Sequence, residues 1–123
     1  MFSIMGSLGT GRFGDYRGEF EPTKDMCRKE RKNVELEEVG RLEYFNNHGD
    51  VPAIMERVVL SDKLENGRLV VLLEATGEKI GLLPSRYSNL LACMRKGFSY
   101  SGSVVYSTLK PFPKVEVDLY AEE

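Results

Sequence analysis

The sequence has no tryptophan, one histidine (His48) and only two cysteines (Cys27 and Cys93) among its 123 residues. Each scarcity removes a class of chemistry. With one histidine there is a single candidate base for a serine or cysteine nucleophile, and it lies in NNHGD (46–50). That stretch is Asn/Gly/Asp turn chemistry, so His48 reads as a surface turn residue. Cys27 and Cys93 form no C-x-x-C and neither lies near His48, so zinc-ligand spacing is absent. Cysteine use this sparse fits a reducing cytoplasm, and Cys93, on an apolar helix face, reads as a buried inert thiol. No stretch reaches the ~18 apolar residues of a membrane span. The opening MFSIM is too short for a signal-peptide core and lacks a basic start. These absences lead to the expectation of a soluble, cytoplasmic protein.

Catalytic signatures are also missing. There is no G-x-S-x-G, D-x-D or E-x-x-H. Carboxylates are plentiful, but Glu35, Glu37, Glu116 and Asp118 alternate with apolar residues, as on the wet face of a strand. They are not spaced as the paired acids of a glycosidase. The expectation is a binding module, not an enzyme, with neither cofactor nor metal.

One nucleotide-like motif is present. Gly9, Gly11 and Gly14 in GSLGTGRFG spell G-x-G-x-x-G. The motif holds a pyrophosphate only when a buried strand enters it and a helix starts at its last glycine. Here DYRGEFEPTK follows, with Gly18 and Pro22 and no helical apolar period. The acid expected about twenty residues on is Glu30, in CRKERKN, which is no strand. The run therefore reads as part of a flexible Gly-rich arm, without a bound nucleotide.

What is present sorts into two zones. Net charge is −2, yet residues 1–32 carry seven Lys/Arg against five Asp/Glu, and the rest carry ten against fourteen. The expected layout is a basic, flexible arm over 1–32 and one domain over 33–123. Within that domain the period is mostly that of strands. NVELEEVGRLEYF (33–45) alternates; PAIMERVVL (52–60) reads as a strand, and Asn66-Gly67 as a hairpin turn. RLVVLLEA (68–75) is nearly continuous and apolar, and KIGLLP (79–84) is a short strand. SRYSNLLACMRK (85–96) is the clearest helix: Tyr87, Leu90, Leu91 and Met94 share one face and Gly97 supplies the stop. FSYSGSVVYS (98–107) and VEVDLYA (115–121) close the chain as alternating strands, the latter with Val115, Val117 and Leu119 inside. The predicted fold is mainly β: a small antiparallel barrel of five or six strands, capped by the helix.

Cations and flat rings cluster in sequence around that helix. Arg86, Tyr87, Arg95, Lys96, Tyr106 and Lys110 are the candidate binding residues, with Lys79, Phe98, Tyr100 and Phe112 nearby. Cations that follow phosphates, beside rings that stack bases, make a single-stranded nucleic-acid surface. Arg28, Lys29, Arg31 and Lys32 would add phosphate contacts. The alternative is a protein-interaction or homodimeric assembly domain, whose arm orders on a partner.

Residues 77–106 resemble the second half of a HIRAN domain. That half runs as a G-x-x-[IV]-G-x-[IL]-P strand, a helix ending in small and apolar residues, a glycine, and a strand reading x-y-x-G-x-V. Here these are Gly77, Ile80, Gly81, Leu83 and Pro84; then Leu90, Leu91 and Ala92; then Tyr100, Gly102 and Val104. RLVVLLEA matches the preceding strand. The family's N-P-x-D-x-N-A loop has no counterpart in SDKLENGRLVV. The resemblance implies a small β-barrel of the oligonucleotide-binding or SH3-like kind that recognises DNA, often a single-stranded end.

Overall fold

Apolar alternation builds most of the chain into one sheet. The structure is a computed structural model that describes residues 21–123. The G-x-G-x-x-G run and most of the basic arm lie outside the described residues. Six strands form a single antiparallel sheet: β1 (Arg31–Glu35), β2 (Arg57–Glu65), β3 (Arg68–Leu73), β4 (Lys79–Leu82), β5 (Ser99–Thr108) and β6 (Lys114–Glu122). Their spatial order is β1-β6-β5-β2-β3-β4. The edge strands β1 and β4 do not pair along their lengths. One isolated antiparallel bridge, Glu37 with Leu82, joins the chain leaving β1 to β4.

The core follows from the pattern. Val115, Val117 and Leu119 of β6 are fully buried, as their alternation requires, together with Val34, Val58, Val71, Leu82 and Val104. The β2–β3 hairpin turns on Asn66 and Gly67, both at positive φ, as the Asn-Gly signal predicts. In β5 the alternation breaks. Val104 faces Val117, but Tyr106 faces Glu116, so Val105 is the extra residue of a bulge. Tyr106 consequently turns outward and is 43% exposed, whereas Tyr100 and Val104 on the preceding stretch are buried.

Five expectations need correction. First, residues 24–32 are not a loose arm. Lys24–Arg28 form a short helix, α1, capped by the Thr23 hydroxyl, which accepts from the Met26 N–H; Cys27 is buried; and β1 already starts at Arg31. Second, Cys27 and Cys93 are not free thiols but a disulfide with a Cα–Cα separation of 5.6 Å. Third, the 33–45 strand stops at Glu35. Glu38 enters the left-handed region, Val39–Arg41 make a 3-10 turn, and Glu43–His48 form α2, which absorbs the predicted 46–50 turn. Gly49, at φ +65°, ends that helix. Fourth, PAIM (52–55) is loop, and the strand begins only at Arg57. Fifth, the 85–96 helix is split into a 3-10 turn, Ser85–Tyr87, and α3, Leu90–Arg95. The predicted face still packs inward: Leu90 is buried and Tyr87, Leu91 and Met94 are partly buried against the core, where Cys93 joins them. No helix of the described residues is long and apolar enough to cross a membrane.

Tyr100 ties α1 to the sheet. Its hydroxyl donates to the Cys27 carbonyl at 2.8 Å in the buried interior, and burial pushes its pKa up. Tyr100→Phe leaves that carbonyl with only the long Arg31 contact, at 3.5 Å. The expected cost is ~1–2 kcal/mol in chemical denaturation. A change within ~0.3 kcal/mol would show that the bond contributes nothing net.

α2 is too short and too rich in Asn to stand on propensity alone. It is held by Glu78 in the β3–β4 turn, whose carboxylate accepts from the Asn47 amide at 2.9 Å and lies 3.0 Å from His48 Nε2. The His48 ring leans on Tyr44, centroids 4.2 Å apart. The Asn47 amide, then the Thr76 hydroxyl and His48, hold the Glu78 carboxyl below the usual range, against a smaller opposing effect of burial. A depressed carboxylate stabilises above its unfolded-state pKa, and the stability is lost as pH falls through the folded one. Stability should therefore decline as pH drops below the ordinary carboxylate pKa near 4.5. Glu78→Gln should be less stable at neutral pH and flatter across that acid range. Parallel slopes for the two proteins in thermal melts between about pH 6 and 3 would refute this.

Candidate functional site

The predicted surface beside the helix divides into separate places. Arg86 and Tyr87 leave the 3-10 turn that follows Pro84, where the Tyr87 N–H bonds the Pro84 carbonyl at 2.9 Å. The Arg86 guanidinium lies over the Tyr87 ring, 4.8 Å from its centroid. With Asn89 they form one wall of a concavity of about 340 Å³, and Lys29, Glu30, Arg31 and Lys32 form the other. Four cations and one aromatic ring thus face a common space with a single acid.

The four cations are not equivalent. Arg31 is partly engaged by its own chain: its guanidinium donates to the Met26 carbonyl at 3.0 Å and to the Lys29 carbonyl, closing the end of α1. Lys32 is anchored from below. Its ammonium donates to the Tyr120 hydroxyl at 3.1 Å and lies 3.7 Å from Asp118. The Tyr120 hydrogen bond, ahead of Asp118 and Glu30, raises the Lys32 pKa. Lys29 and Arg86, one on each wall, have no carboxylate within salt-bridge distance among the described residues. These two are the cations available to a ligand.

The remaining candidates lie elsewhere. Arg95, at the far end of α3, shares a smaller hollow with Asp62, Leu91 and Met94. Lys96 is paired with Glu21 at 3.1 Å. Tyr106 and Lys110 belong to the end of the β5–β6 hairpin, with Tyr106 covered by Lys114 at 5.9 Å. Seven residues of β5 separate Tyr106 from the strand start next to α3, or ~23 Å at the usual rise. The structure therefore brings Arg86 and Tyr87 together with the basic run, and Arg95, Lys96, Tyr106 and Lys110 with neither. Arg28, the first residue of that run, points away and pairs with Glu123.

Charge around Arg68 is consumed internally. Arg68 pairs with Glu37 and Glu38, Arg41 with Glu38, and Lys79 with Glu65 at 2.9 Å. Arg41, followed by Arg68, holds the Glu38 carboxyl below its usual range. Lys79, counted among the nearby cations in the sequence, belongs to this network.

A second concavity, about 470 Å³, lies at the other end of the sheet and is lined by Ile54, Met55, Glu56, Arg57, Glu74 and Ala75. Met55 holds φ +81° and is 76% exposed, a costly conformation for a long side chain. Its N–H bonds the Val104 carbonyl at 2.8 Å, which fixes the loop tip on β5. Among the described residues, no group of three or more His, Cys, Asp or Glu side chains converges as metal ligands would. His48 is engaged with Glu78 and leans on the Tyr44 ring. No family model matches this chain, and neither a curated protein nor a solved structure matches it.

Proposed function

We propose that this chain is a non-enzymatic binding module that contacts single-stranded nucleic acid in the concavity between residues 29–32 and 86–89. One observation carries the reading: Lys29 and Arg86 face each other across a hollow that also holds Arg31, Lys32 and the Tyr87 ring, on a chain whose net charge is −2. Two cations without a carboxylate partner among the described residues, facing one hollow, mark a place for an anion. The ring beside them supplies a stacking platform, worth ~1–3 kcal/mol per base. The fold belongs to the same proposal. We read it as a HIRAN-like barrel left open along the seam between β1 and β4, with the Glu37–Leu82 bridge as its one rung. A cytoplasmic location is proposed with it.

The test is fluorescence anisotropy of a labelled ~15-nucleotide single strand titrated with the full chain. Binding to a strand should weaken steeply with salt, with a slope of about −0.7 per phosphate contact. No binding at low salt would end the nucleic-acid reading. A protein-interaction or homodimeric role is the second reading, favoured by the exposed Ile54 and Met55 at the loop tip. Association that persists at high salt and is lost in Met55→Asp would support it.

A further inference from the structure

We infer that the Cys27–Cys93 pair is a redox latch on this groove; the inference rests on the nucleic-acid reading above. The disulfide joins α1 to α3. One wall of the groove, Lys29 to Lys32, follows Cys27 directly, and the other, Arg86 to Asn89, leads into the helix that carries Cys93. The crosslink therefore ties together the two segments whose cations face the ligand.

The crosslink is the one covalent tie on the α1 wall; the others are hydrogen bonds, exposed ion pairs and the packing of Cys27 itself. α1 has five residues, below the length at which a helix persists unaided. From the start of β1, the Arg31 guanidinium reaches back to the Met26, Cys27 and Lys29 carbonyls and lies 5.8 Å from the centroid of the Tyr100 ring. From the rest of the molecule, α1 and the residues before it receive the Tyr100 hydrogen bond at Cys27, the packing of Cys27 in the core, and two exposed ion pairs, Arg28–Glu123 and Glu21–Lys96. β1 is different, because β6 pairs with it on both sides of a bulge: Arg31 with Leu119, then Val34 with Val117 and Glu35 with Glu116. Loss of the crosslink should release the chain before β1 and carry Lys29 away, while Lys32 and the sheet stay in place.

The chemistry is thiol–disulfide exchange with a dithiol reductant. One reductant thiolate attacks a cysteine sulfur, the Cys27–Cys93 bond breaks, and a mixed disulfide forms. The second reductant thiolate displaces the protein sulfur and leaves with the first as a disulfide. Two electrons and two protons pass from the reductant to the two cysteines. Both sulfurs lie in the interior, so attack requires α1 to lift first. A strand spanning both walls binds the disulfide form more tightly and so favours it over the dithiol, and by the same linkage reduction weakens strand binding. In a reducing compartment the dithiol form prevails, and oxidation is then what assembles the groove.

The experiment uses the full chain in three states: oxidised, reduced with dithiothreitol, and as the C27A/C93A double variant. Amide exchange is followed by mass spectrometry, and affinity by anisotropy of the ~15-nucleotide strand. Exchange over 22–30 should rise at least tenfold on reduction and in the variant, while β5 and β6 stay protected. Affinity should fall about tenfold, the size of one lost charge-assisted contact, and the salt slope should flatten by about 0.7. Unchanged exchange over 22–30 would overturn the latch. So would loosening of β5 and β6 together with it, which makes the disulfide a staple of the whole fold. Loosening without a change in affinity would also overturn it. If the oxidised chain binds no strand, the nucleic-acid reading fails; selective loosening of 22–30 then still supports the latch.

Discussion

Gly102→Ala is expected to destabilise the protein by about 3 kcal/mol, near the upper end for overpacking a well-filled core. Gly102 lies mid-sheet, opposite Leu119 on one side and Val58 on the other. A Cβ there would fall on the Asp118 carbonyl oxygen, with the Asp118 carbonyl carbon at 2.7 Å and the Leu119 Cα at 3.2 Å. All three are backbone atoms of the neighbouring strand, so no rotamer change relieves the clash. β5 and β6 must separate there, at the cost of ladder hydrogen bonds. Gly102→Val should do more and leave little folded protein. For a domain of this size, the alanine variant should melt on the order of 10 °C lower. A melting temperature within ~2 °C of the parent would mean that β6 can shift there at almost no cost. Gly81→Ala offers a milder comparison, because what its Cβ meets is the Leu36 side chain, at 2.7 Å.

The sequence showed that Gly102 sits in an inward register and not that the neighbouring backbone fills its missing side chain. That distinction marks the general limit. Period-two patterns carried β5, β6 and the β2–β3 hairpin, because one buried face dictates which residues are apolar. They failed where a single residue breaks the period. Val105 adds one residue to β5 and turns Tyr106 outward, and nothing in SVVYS marks the insertion. They failed too at 36–48, where Val39 and Leu42 are buried but by a 3-10 turn and a short helix. That helix is stabilised by Glu78, thirty-one residues from Asn47, and no local propensity announces it. The disulfide spans 66 residues, beyond any spacing rule. Without it, the basic run before β1 and the Arg86–Tyr87 turn read as two unrelated features. Half of the candidate surface was therefore legible as residue types, and its assembly was not. Arg95, Lys96, Tyr106 and Lys110 satisfied the same composition rule and ended up in other places.

That separation makes the charge-reversal experiment decisive among the candidates. Lys29→Glu/Arg86→Glu should reduce affinity for a single strand on the order of a hundredfold at low salt, from two lost charge-assisted contacts of ~1.5 kcal/mol each. The fold should survive, since neither side chain has a carboxylate partner among the described residues and both border an open hollow. Changing the net charge by four units would itself slow encounter with a polyanion. Arg95→Glu/Lys96→Glu applies the same change outside the groove and serves as the matched control. A loss confined to the first pair assigns the ligand to the hollow between α1 and the 3-10 turn. Equal losses in both pairs would mean that the strand feels only the overall field. A loss confined to Arg95 and Lys96 would move the binding surface to the far end of α3. Tyr87→Leu separates stacking from charge: it should weaken binding by the ~1–3 kcal/mol of one stacked base while leaving the salt slope unchanged.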